Sequence, residues 1–308
     1  MIIMNNKNKS FTLIELLVVI VIIGILAGVI MISTTSSIDK ANIAKGKVFS
    51  ENIKNNLMLN LISEWSFDNI TSYDVATGLL TAGASIPDNW GIYNATGVSQ
   101  PILKTANECI FDKCLEFDGV DDYLYSSNAL SQISRNYTIE AWMYAYSSPT
   151  GSRSVFSFSN CASIYLNTSN ATVAYWQAYN GQASCGYNAT FPNVSSNKWH
   201  HIVVEFIYDQ GIKIFINNSQ PTIDNTRDTT TAICLNGVPN LLENFLIGRY
   251  YDSRNFFKGK IDDVRLYNQA ISSSQIKKNY IAGLDSLLSN GNISKEDYNN
   301  RINELAYE

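Results

Sequence analysis

The sequence predicts an α+β protein in which a long N-terminal membrane and stalk helix precedes an antiparallel β-sandwich and a short C-terminal helical tail. Three observations lead to this fold class: a continuous apolar segment near the N-terminus, a series of short strand-like segments, and a helical pattern at the C-terminus. The 308 residues suffice for one or two domains with a sizeable core. The predicted parts are a leader (1–10), the membrane and stalk helix (11–60), the sandwich (61–283) and the tail (284–308).

Composition excludes several functional classes. Hydrophobic residues make up 45% and aromatic residues 12% of the chain, which is too much for a disordered protein. The net charge is −5 and the sequence has no long basic block, which argues against nucleic-acid binding because phosphate neutralisation takes clustered Lys and Arg. The two histidines, His200 and His201, are adjacent, so a metal centre built from several histidines has little to draw on.

The apolar segment runs from Phe11 to Ile32, and Glu15 is its single charged residue. Residues 16–38 carry no charge and are long enough to cross a hydrocarbon layer of about 30 Å as a helix. The apolar run is longer than that of an ordinary secretory signal, and no A-x-A-like cleavage site follows it. A plain anchor helix would leave Glu15 unexplained, because a carboxylate within a membrane is costly unless it is paired. Lysines in the leader predict a cytoplasmic N-terminus.

The segment K-S-F-T-L-I-E-L-L-V-V-I at 9–20 resembles the class III prepilin signal of type IV pilins and type II secretion pseudopilins. The resemblance implies cleavage by a prepilin peptidase between Ser10 and Phe11, and methylation of the new N-terminus. It also implies a single-pass protein of the bacterial cytoplasmic membrane that joins other pilin subunits in an extracellular pilus or pseudopilus. In such a fibre, the Phe11 amine of a neighbouring subunit would supply the cation that a buried Glu15 needs.

From residue 61 the apolar period changes from the helical spacing of the stalk to two, and Asn, Gly, Ser and Asp separate the short segments. Ten or more strands with turn signals between them predict a sandwich. Residues 69–103 are predicted to form a long loop. The predicted strands are 61–68, 114–126, 137–146, 153–159, 163–168, 172–179, 198–209, 213–218, 244–251 and 259–268.

Four segments occur in a characteristic order: W-S-F-D at 65–68, C-L-E-F-D-G-V-D-D-Y at 114–123, K-W-H-H-I-V-V at 198–204 and G-K-I-D-D-V-R-L-Y at 259–267. Together they resemble the laminin-G-like, concanavalin A-like jelly roll of lectins and extracellular adhesion modules. The resemblance implies the fold, and the fold alone does not decide the function, because it supports lectins, glycosidases and spacers.

The aspartates of these segments predict a calcium site, since Ca²⁺ prefers hard oxygen ligands. The resemblance implies that the first and last strands are neighbours. On that basis Asp68 and Asp262 would bind the ion with help from Asp118 in the 118–122 turn. The alternative interpretation is that these D-G and D-D pairs form turns and accept backbone N–H bonds.

Carbohydrate binding by the sandwich is a hypothesis that rests mainly on the resemblance to lectins of this fold. Exposed Trp and Tyr rings could serve it by stacking on the C–H faces of sugars. The candidate ligand-binding residues are Trp90, Tyr93, Trp176 and Tyr179. The alternative is that aromatic residues of a sandwich lie in its core, which is the prediction for Trp65, Trp142 and Trp199.

Catalysis is not predicted. Glycoside hydrolysis needs two carboxylates about 5–9 Å apart, and the E-x-D-x-E strand that some enzymes of this fold use is absent. Glu140 and Glu205 each stand alone in an apolar strand and are interpreted as outward or hydrogen-bonded. His200 and His201 point to opposite faces of a strand, so they cannot bind one ion together.

Five cysteines lie in the part predicted to be exported, where disulfides persist. Cys109–Cys114 is predicted as a local disulfide and Cys161–Cys185 as a second one. Cys234 would be left over, and its pairing with another cysteine stays open.

These observations predict a pilin-like subunit that displays its sandwich for adhesion or for binding a carbohydrate or another ligand. The alternatives are a membrane-anchored surface lectin that does not enter a fibre and an exported glycosidase. In the tail, Ser294 begins a capping-box variant, and Tyr298, Ile302 and Leu305 share one helix face.

Overall fold

The computed structural model divides the chain into two units, Met1–Leu59 and Asn60–Glu308. The structure describes residues 13–14, 16–23, 60–91, 93–127, 136–147, 152–158, 162–167, 173–179, 184–190, 195–207, 211–220, 223–224, 244–250 and 255–305.

In the first unit, residues 13–14 and 16–23 are helical (α1). The rest of the helix predicted over 11–60 lies outside the described residues, as do Ser10, Phe11 and Glu15. Within the described part of the chain, no helix has both the length and the apolar character needed to cross a membrane.

The second unit is an antiparallel β-sandwich of two sheets, as predicted. The first sheet has the order β13-β12-β7-β16-β5-β4, and β1 also pairs with β16. Its strands are β1 (Leu61–Trp65), β4 (Ile102–Thr105), β5 (Lys113–Asp118), β7 (Tyr137–Ala145), β12 (Trp199–Ile207), β13 (Gly211–Ile216) and β16 (Lys258–Tyr267).

The second sheet has the order β14-β11-β10-β9-β8-β15-β6-β3-β2. Its strands are β2 (Ser85–Ile86), β3 (Ala95–Val98), β6 (Tyr123–Ser126), β8 (Ser152–Phe158), β9 (Ala162–Asn167), β10 (Val173–Tyr179), β11 (Ser184–Thr190), β14 (Ile223–Asp224) and β15 (Phe245–Ile247). A short 3₁₀ helix (Ala106–Glu108) precedes β5, and two helices follow β16: α2 (Ser273–Ser289) and α3 (Lys295–Glu304).

β16 organises the first sheet by pairing with three strands. Its first half lies beside β5, with Ile261 opposite Leu115, and its second half lies beside β1, with Val264 opposite Trp65. β7 runs along its other side. A bulge in the pairing with β7 separates the two halves, and Asp263 within it has φ +52°. The first and last strands of the sandwich are therefore neighbours.

The residues of β7 alternate between two different cores, because successive side chains of a strand point to opposite faces. Ile139, Ala141 and Met143 belong to the core between the sheets. Trp142 points the other way, into a second core under the C-terminal helices. The first sheet is thus buried on both faces, and we call the face under the helices the outer face. The predicted core tryptophans Trp65, Trp142 and Trp199 are all buried.

The C-terminal helices begin at serine N-caps. Ser272 accepts a hydrogen bond from the Gln275 N–H, and Ser294 accepts one from the Asp297 N–H, which confirms the predicted cap. The first helix begins at Ser273 rather than at residue 284, and the apolar residues Ile276 and Tyr280 in its first half, which precede Leu284 at helical spacing, were the signal for the earlier start. In α3, Leu305 is buried against the outer face, and Tyr298 and Ile302 pack beside it as predicted.

Two other boundaries differ from the prediction. Residues 114–126 were expected as one strand but form β5 and β6 in different sheets, because Gly119 turns the chain at φ +79°. The predicted loop 69–103 contains β2, β3 and part of β4. β3 reads A-T-G-V, whose small residues give a weak strand signal.

The predicted disulfide Cys109–Cys114 is present. It closes a short loop that leads into β5. α2 and the residues that follow it hold this loop: Ser286 donates to the Ile110 carbonyl, and Asn292 donates to the Cys109 carbonyl at 2.9 Å. The sulfur atoms of Cys161, Cys185 and Cys234 lie outside the described side chains, so their pairing stays a prediction.

Glu140 lies at the centre of the outer face and is 1% exposed. Its carboxylate bonds His201 Nε2 at 2.7 Å, the Tyr267 hydroxyl at 2.9 Å and Asn279 Nδ2 at 2.9 Å. Burial alone would raise the pKa of Glu140. The hydrogen bond and charge interaction with His201, together with the charge of Arg265 and the Asn279 hydrogen bond, more than offset this effect and lower the pKa to about 2. The interpretation of Glu140 as a hydrogen-bonded residue is therefore correct.

Replacing Glu140 tests this network. Glu140→Ala leaves the buried His201 and Tyr267 and the half-buried Asn279 without their acceptor, so the free energy of unfolding is expected to fall by about 3–5 kcal/mol. Chemical denaturation of the purified protein measures it. Glu304→Ala, which removes the same side chain from the exposed end of α3, should change the value by no more than about 0.5 kcal/mol. A loss in Glu140→Ala as small as in this control would contradict the role given to Glu140.

Candidate functional site

The chain passes from the first sheet to the second through residues 118–122, which we call the acidic turn. Asp118 Oδ1 accepts the N–H of Val120 at 2.7 Å and that of Asp121 at 3.3 Å, which fixes the turn locally. Gly119 is required here twice over: its φ is +79°, and a Cβ would lie 2.7 Å from the Lys258 Cβ. The D-G-V-D-D sequence therefore dictates its own conformation.

Asp122 anchors the turn to the sandwich and is 5% exposed. Its Oδ2 accepts the Asp118 N–H at 2.9 Å, and its Oδ1 accepts the Gln100 N–H at 3.0 Å. Burial raises the pKa of the Asp122 carboxyl to about 6, and repulsion from Asp118 and Asp121 contributes to the increase. A cation at the turn would relieve this repulsion.

The carboxylates of Asp118, Asp121 and Asp122 lie within 4.8 Å of one another. Among the described residues, this is the one group of three or more His, Cys, Asp or Glu side chains that could hold a metal ion. Three hard oxygen donors with two of the residues exposed to solvent suit Ca²⁺, which commonly completes its shell with water. The guanidinium of Arg153 also lies near Gly119, so the turn is not surrounded by negative charge alone.

The predicted calcium ligands do not come together as a set. Asp118 joins the acidic turn, whereas Asp68 and Asp262 are not part of that group. Asp262 is fully buried on the outer face, where its Oδ2 accepts the N–H groups of Ile110 at 2.9 Å and Phe111 at 3.2 Å. Burial and the charge of Asp263 raise the pKa of Asp262 well above its usual range.

Asp68 likewise has a local role. Its Oδ1 accepts the Lys113 N–H at 2.9 Å, and its carbonyl accepts Lys113 Nζ at 2.8 Å. Burial raises the pKa of Asp68, although hydrogen bonds from Ser66 and Lys113 partly offset the increase. For Asp68 and Asp262 the alternative interpretation, carboxylates that accept backbone N–H bonds, describes the structure better than metal ligation.

Aromatic residues that the sequence reasoning missed lie next to the acidic turn. Tyr123 and Tyr125 leave β6 on the side opposite the buried Leu124, and Arg249 stacks 4.0 Å from the centre of the Tyr123 ring. The Phe256 ring lies 6.4 Å from that of Tyr123. All four side chains are partly exposed. We call Tyr123, Tyr125, Arg249 and Phe256 together the aromatic platform. The Y-L-Y alternation directly after the turn was the sequence signal for its two tyrosines.

The predicted sugar-binding residues occupy different environments. Trp90 is 40% exposed on a loop that Asp88 organises, since Asp88 Oδ1 accepts the N–H groups of Trp90 and Gly91. Tyr93 packs partly against the main core, and its carbonyl accepts the Trp65 indole N–H at 3.1 Å. Trp176 and Tyr179 belong to β10, but their side chains lie outside the described ones. A role for any of them in ligand binding stays a prediction.

The adjacent histidines have separate surroundings, as the strand pattern predicts. His201 bonds Glu140 on the outer face. His200 Nε2 lies 3.0 Å from the Ser195 carbonyl, and its Nδ1 lies 3.0 Å from Asn217 Nδ2. Burial lowers the pKa of His200 to about 4. Each ring thus has structural partners, and the two do not converge on a common ion.

Two segments of the chain match models of known sequence families. The family model described as the concanavalin A-like lectin/glucanases superfamily matches residues 118–277, from the acidic turn into α2. A model of the prokaryotic N-terminal methylation motif matches residues 5–31. No curated protein gives a significant sequence match.

Solved structures with similar folds share little sequence with this chain. The receptor-binding domain of botulinum neurotoxin mosaic serotype C/D matches at 12% identity and a TM-score of 0.53, over 74% of this chain and 52% of that one. A botulinum neurotoxin type C structure matches at 13% identity and a TM-score of 0.52, over 75% and 53%. The Trypanosoma rangeli sialidase matches at 12% identity and a TM-score of 0.48, over 72% and 32%.

This chain spans about half the length of the neurotoxin domains and about a third of the sialidase. At such low identity the likeness to the neurotoxin domains concerns the fold alone. The match to the superfamily model covers more than half of the chain, and the strand order agrees with a two-sheet sandwich. The protein belongs to the concanavalin A-like lectin/glucanases superfamily.

Proposed function

We propose that this chain is a pilin-like subunit that assembles through its N-terminal helix and displays the sandwich for adhesion or carbohydrate binding. The observation that carries the proposal is the N-terminal methylation motif at residues 5–31 on the same chain as a lectin-like domain. The fibre is a type IV pilus or a type II secretion pseudopilus.

The N-terminal segment has the surface that such an assembly needs. All described side chains of α1 are apolar, and they are between 45% and 80% exposed. A continuous apolar surface of this kind is characteristic of contact with lipid or with other protein chains. In the proposal, prepilin peptidase cuts between Ser10 and Phe11, and Glu15 pairs with the Phe11 amine of the next subunit.

The acidic turn and the aromatic platform form the proposed ligand site. Calcium held by Asp118, Asp121 and Asp122 would leave coordination positions open for hydroxyl oxygens. Tyr123 and Tyr125 would stack on the ring of a sugar. Botulinum neurotoxin type C, which has a similar fold, depends on interaction with two ganglioside molecules for cell entry. That property of the toxin supports a glycan as the ligand class here.

The proposed role is binding rather than catalysis. Glu140 is buried beneath α2, with both oxygens engaged in hydrogen bonds. Glu205 is 3% exposed and faces the same side of the first sheet. Neither carboxylate reaches a cleft where a glycosidic bond could lie between two acids.

The mass of the mature N-terminus tests the assembly. Protein is recovered from the sheared extracellular fraction of cells that contain a prepilin peptidase, and its N-terminal peptide is measured by mass spectrometry. A chain that starts at methylated Phe11 is expected in this fraction. An uncleaved chain that stays with the membranes would contradict the proposal and favour a membrane-anchored lectin.

Replacing Glu15 separates processing from assembly. Glu15→Gln removes the charge that pairs with the neighbouring amine, so cleaved subunits should remain in the membrane and be depleted from the sheared fraction about tenfold or more. Asp39→Asn, which lies outside the apolar segment, serves as the control and should leave the sheared fraction unchanged. Equal recovery of the two variants would argue against the Glu15 pairing.

Calcium is expected to stabilise the sandwich through the acidic turn. For an affinity typical of extracellular modules, millimolar calcium stabilises by about 1–3 kcal/mol, which corresponds to a Tm increase of roughly 3–10 °C. Because the pKa of Asp122 is about 6, protons compete with the ion, and the increase should shrink as the pH falls from 7.5 to 5. Differential scanning fluorimetry measures both effects.

The matched variants are Asp121→Asn, which removes an exposed ligand, and Asp112→Asn, which removes an exposed carboxylate elsewhere. The calcium effect should be reduced in the first and retained in the second. If calcium leaves the Tm of the unmodified protein unchanged, the acidic turn is a self-capped turn and not a metal site.

A further inference from the structure

A pocket of about 370 Å³ lies where α3 meets the outer face of the first sheet, and we call it the helix pocket. Its volume is within the range of small-molecule sites. Three separate parts of the sandwich form it: the 3₁₀ helix before β5, the ends of β7, β12 and β16, and the beginning of α3. The pocket shares no lining residue with the acidic turn or the aromatic platform.

The charges of the helix pocket favour an anion. Its lining contains the cations Lys198, Lys260 and Arg301 and the carboxylates Glu108 and Asp297, so cations outnumber carboxylates. The whole chain, in contrast, has a net charge of −5. Arg301 is engaged within the fold, with its Nε 3.1 Å from Asp297 Oδ2 and one NH donating to the Trp199 carbonyl. The two lysines are therefore the groups available to a ligand.

Lys260 is the buried cation of the pocket, with its side chain 9% exposed. Its ammonium donates to Glu108 Oε2 at 2.7 Å and lies 5.3 Å from the centre of the Tyr144 ring. An ammonium has three N–H donors, and Glu108 is its one hydrogen-bond acceptor among the described residues. A buried charge with unused donors is expensive unless a further acceptor binds it. Lys198 stands at the exposed entrance.

The remaining lining residues suit a hydroxylated ring. Tyr144 is the partly exposed aromatic residue of the lining, and the buried Trp199 ring packs against it at 5.7 Å. An aromatic surface such as that of Tyr144 packs against the C–H groups of sugars. Asn107 and Asn197 contribute amide groups, which both donate and accept hydrogen bonds. The Asn292 amide nitrogen already donates to the Ala106 and Cys109 carbonyls. This combination differs from the acidic turn, where binding depends on a cation.

We propose that the helix pocket binds a sugar that carries a carboxylate. Lys260 and Lys198 bind the carboxylate, the ring of Tyr144 contacts the apolar face of the sugar, and the amides of Asn107 and Asn197 bind its hydroxyl groups. This second site needs no calcium and exists only where α3 is docked on the outer face. It would give the protein a preference for acidic glycans that the acidic turn alone does not provide.

Titration of the full-length protein in detergent with two small probes tests the proposal. The probes are methyl β-D-glucuronide, which carries the carboxylate, and methyl β-D-glucoside, in which a hydroxymethyl group replaces it. A chelator is present throughout, so that failure of the calcium site does not affect the result. Isothermal titration calorimetry should show that the glucuronide binds and that the glucoside binds at least tenfold more weakly. Added salt should lower the affinity for the glucuronide.

The variants Lys260→Gln and Lys198→Gln should each weaken glucuronide binding by about tenfold, as expected when a hydrogen bond to a charged group is lost. Lys198 is exposed, so its replacement does not endanger the fold if Lys260→Gln proves unstable. Lys295→Gln makes the same charge change on the first turn of α3 outside the pocket and should bind like the unmodified protein. Absence of glucuronide binding, equal binding of the two probes, or unchanged binding in Lys198→Gln would overturn the proposal.

Discussion

The rest of the sandwich depends on the docking of the C-terminal helices onto a polar sheet face with Glu140 at its centre. The outer face of the first sheet carries Glu140, His201 and Tyr267, which would be half-exposed without a cover. α2 completes the hydrogen bonds of Glu140 through Asn279, and its Tyr280 ring stacks on that of Trp142 at 5.7 Å. Because a buried carboxylate is tolerated only when its hydrogen bonds are satisfied, this network fixes where α2 can lie.

Close packing also restricts the position of α2 on the outer face. Gly283 of α2 lies directly on Trp142, and a Cβ at this position would overlap the indole ring. Further along the chain, Ser286, Asn290 and Asn292 donate hydrogen bonds to carbonyl groups of the loop that Cys109–Cys114 closes. The helices, the disulfide loop and the last strand therefore form one unit, and the helix pocket is a consequence of that arrangement.

The sequence predicted the sandwich, the core tryptophans, the local disulfide and the Ser294 cap, because each depends on residues close together in the chain or on simple alternation. It did not predict which face of the sandwich the C-terminal helices would cover. Glu140 lies 127 residues before Tyr267 and 139 before Asn279, so nothing local shows that it meets them. Asp262 was assigned to calcium because the resemblance implies that the first and last strands are neighbours, but that adjacency does not say which face of β16 the carboxylate reaches. For Asp118 the local signal was sufficient to place it in an acidic turn, since its partners are Asp121 and Asp122.

The two ends of the chain serve separate purposes in this account. The methylation motif and the apolar α1 would place the subunit in a fibre, while the superfamily sandwich would present the acidic turn and the aromatic platform to ligands. The most direct test is the retention of sheared fibres on immobilised glycans, compared between cells that have this chain and cells that lack it. The account predicts that only fibres containing the chain are retained, and that a calcium chelator reduces their retention. Equal retention of fibres from both cell types would contradict it.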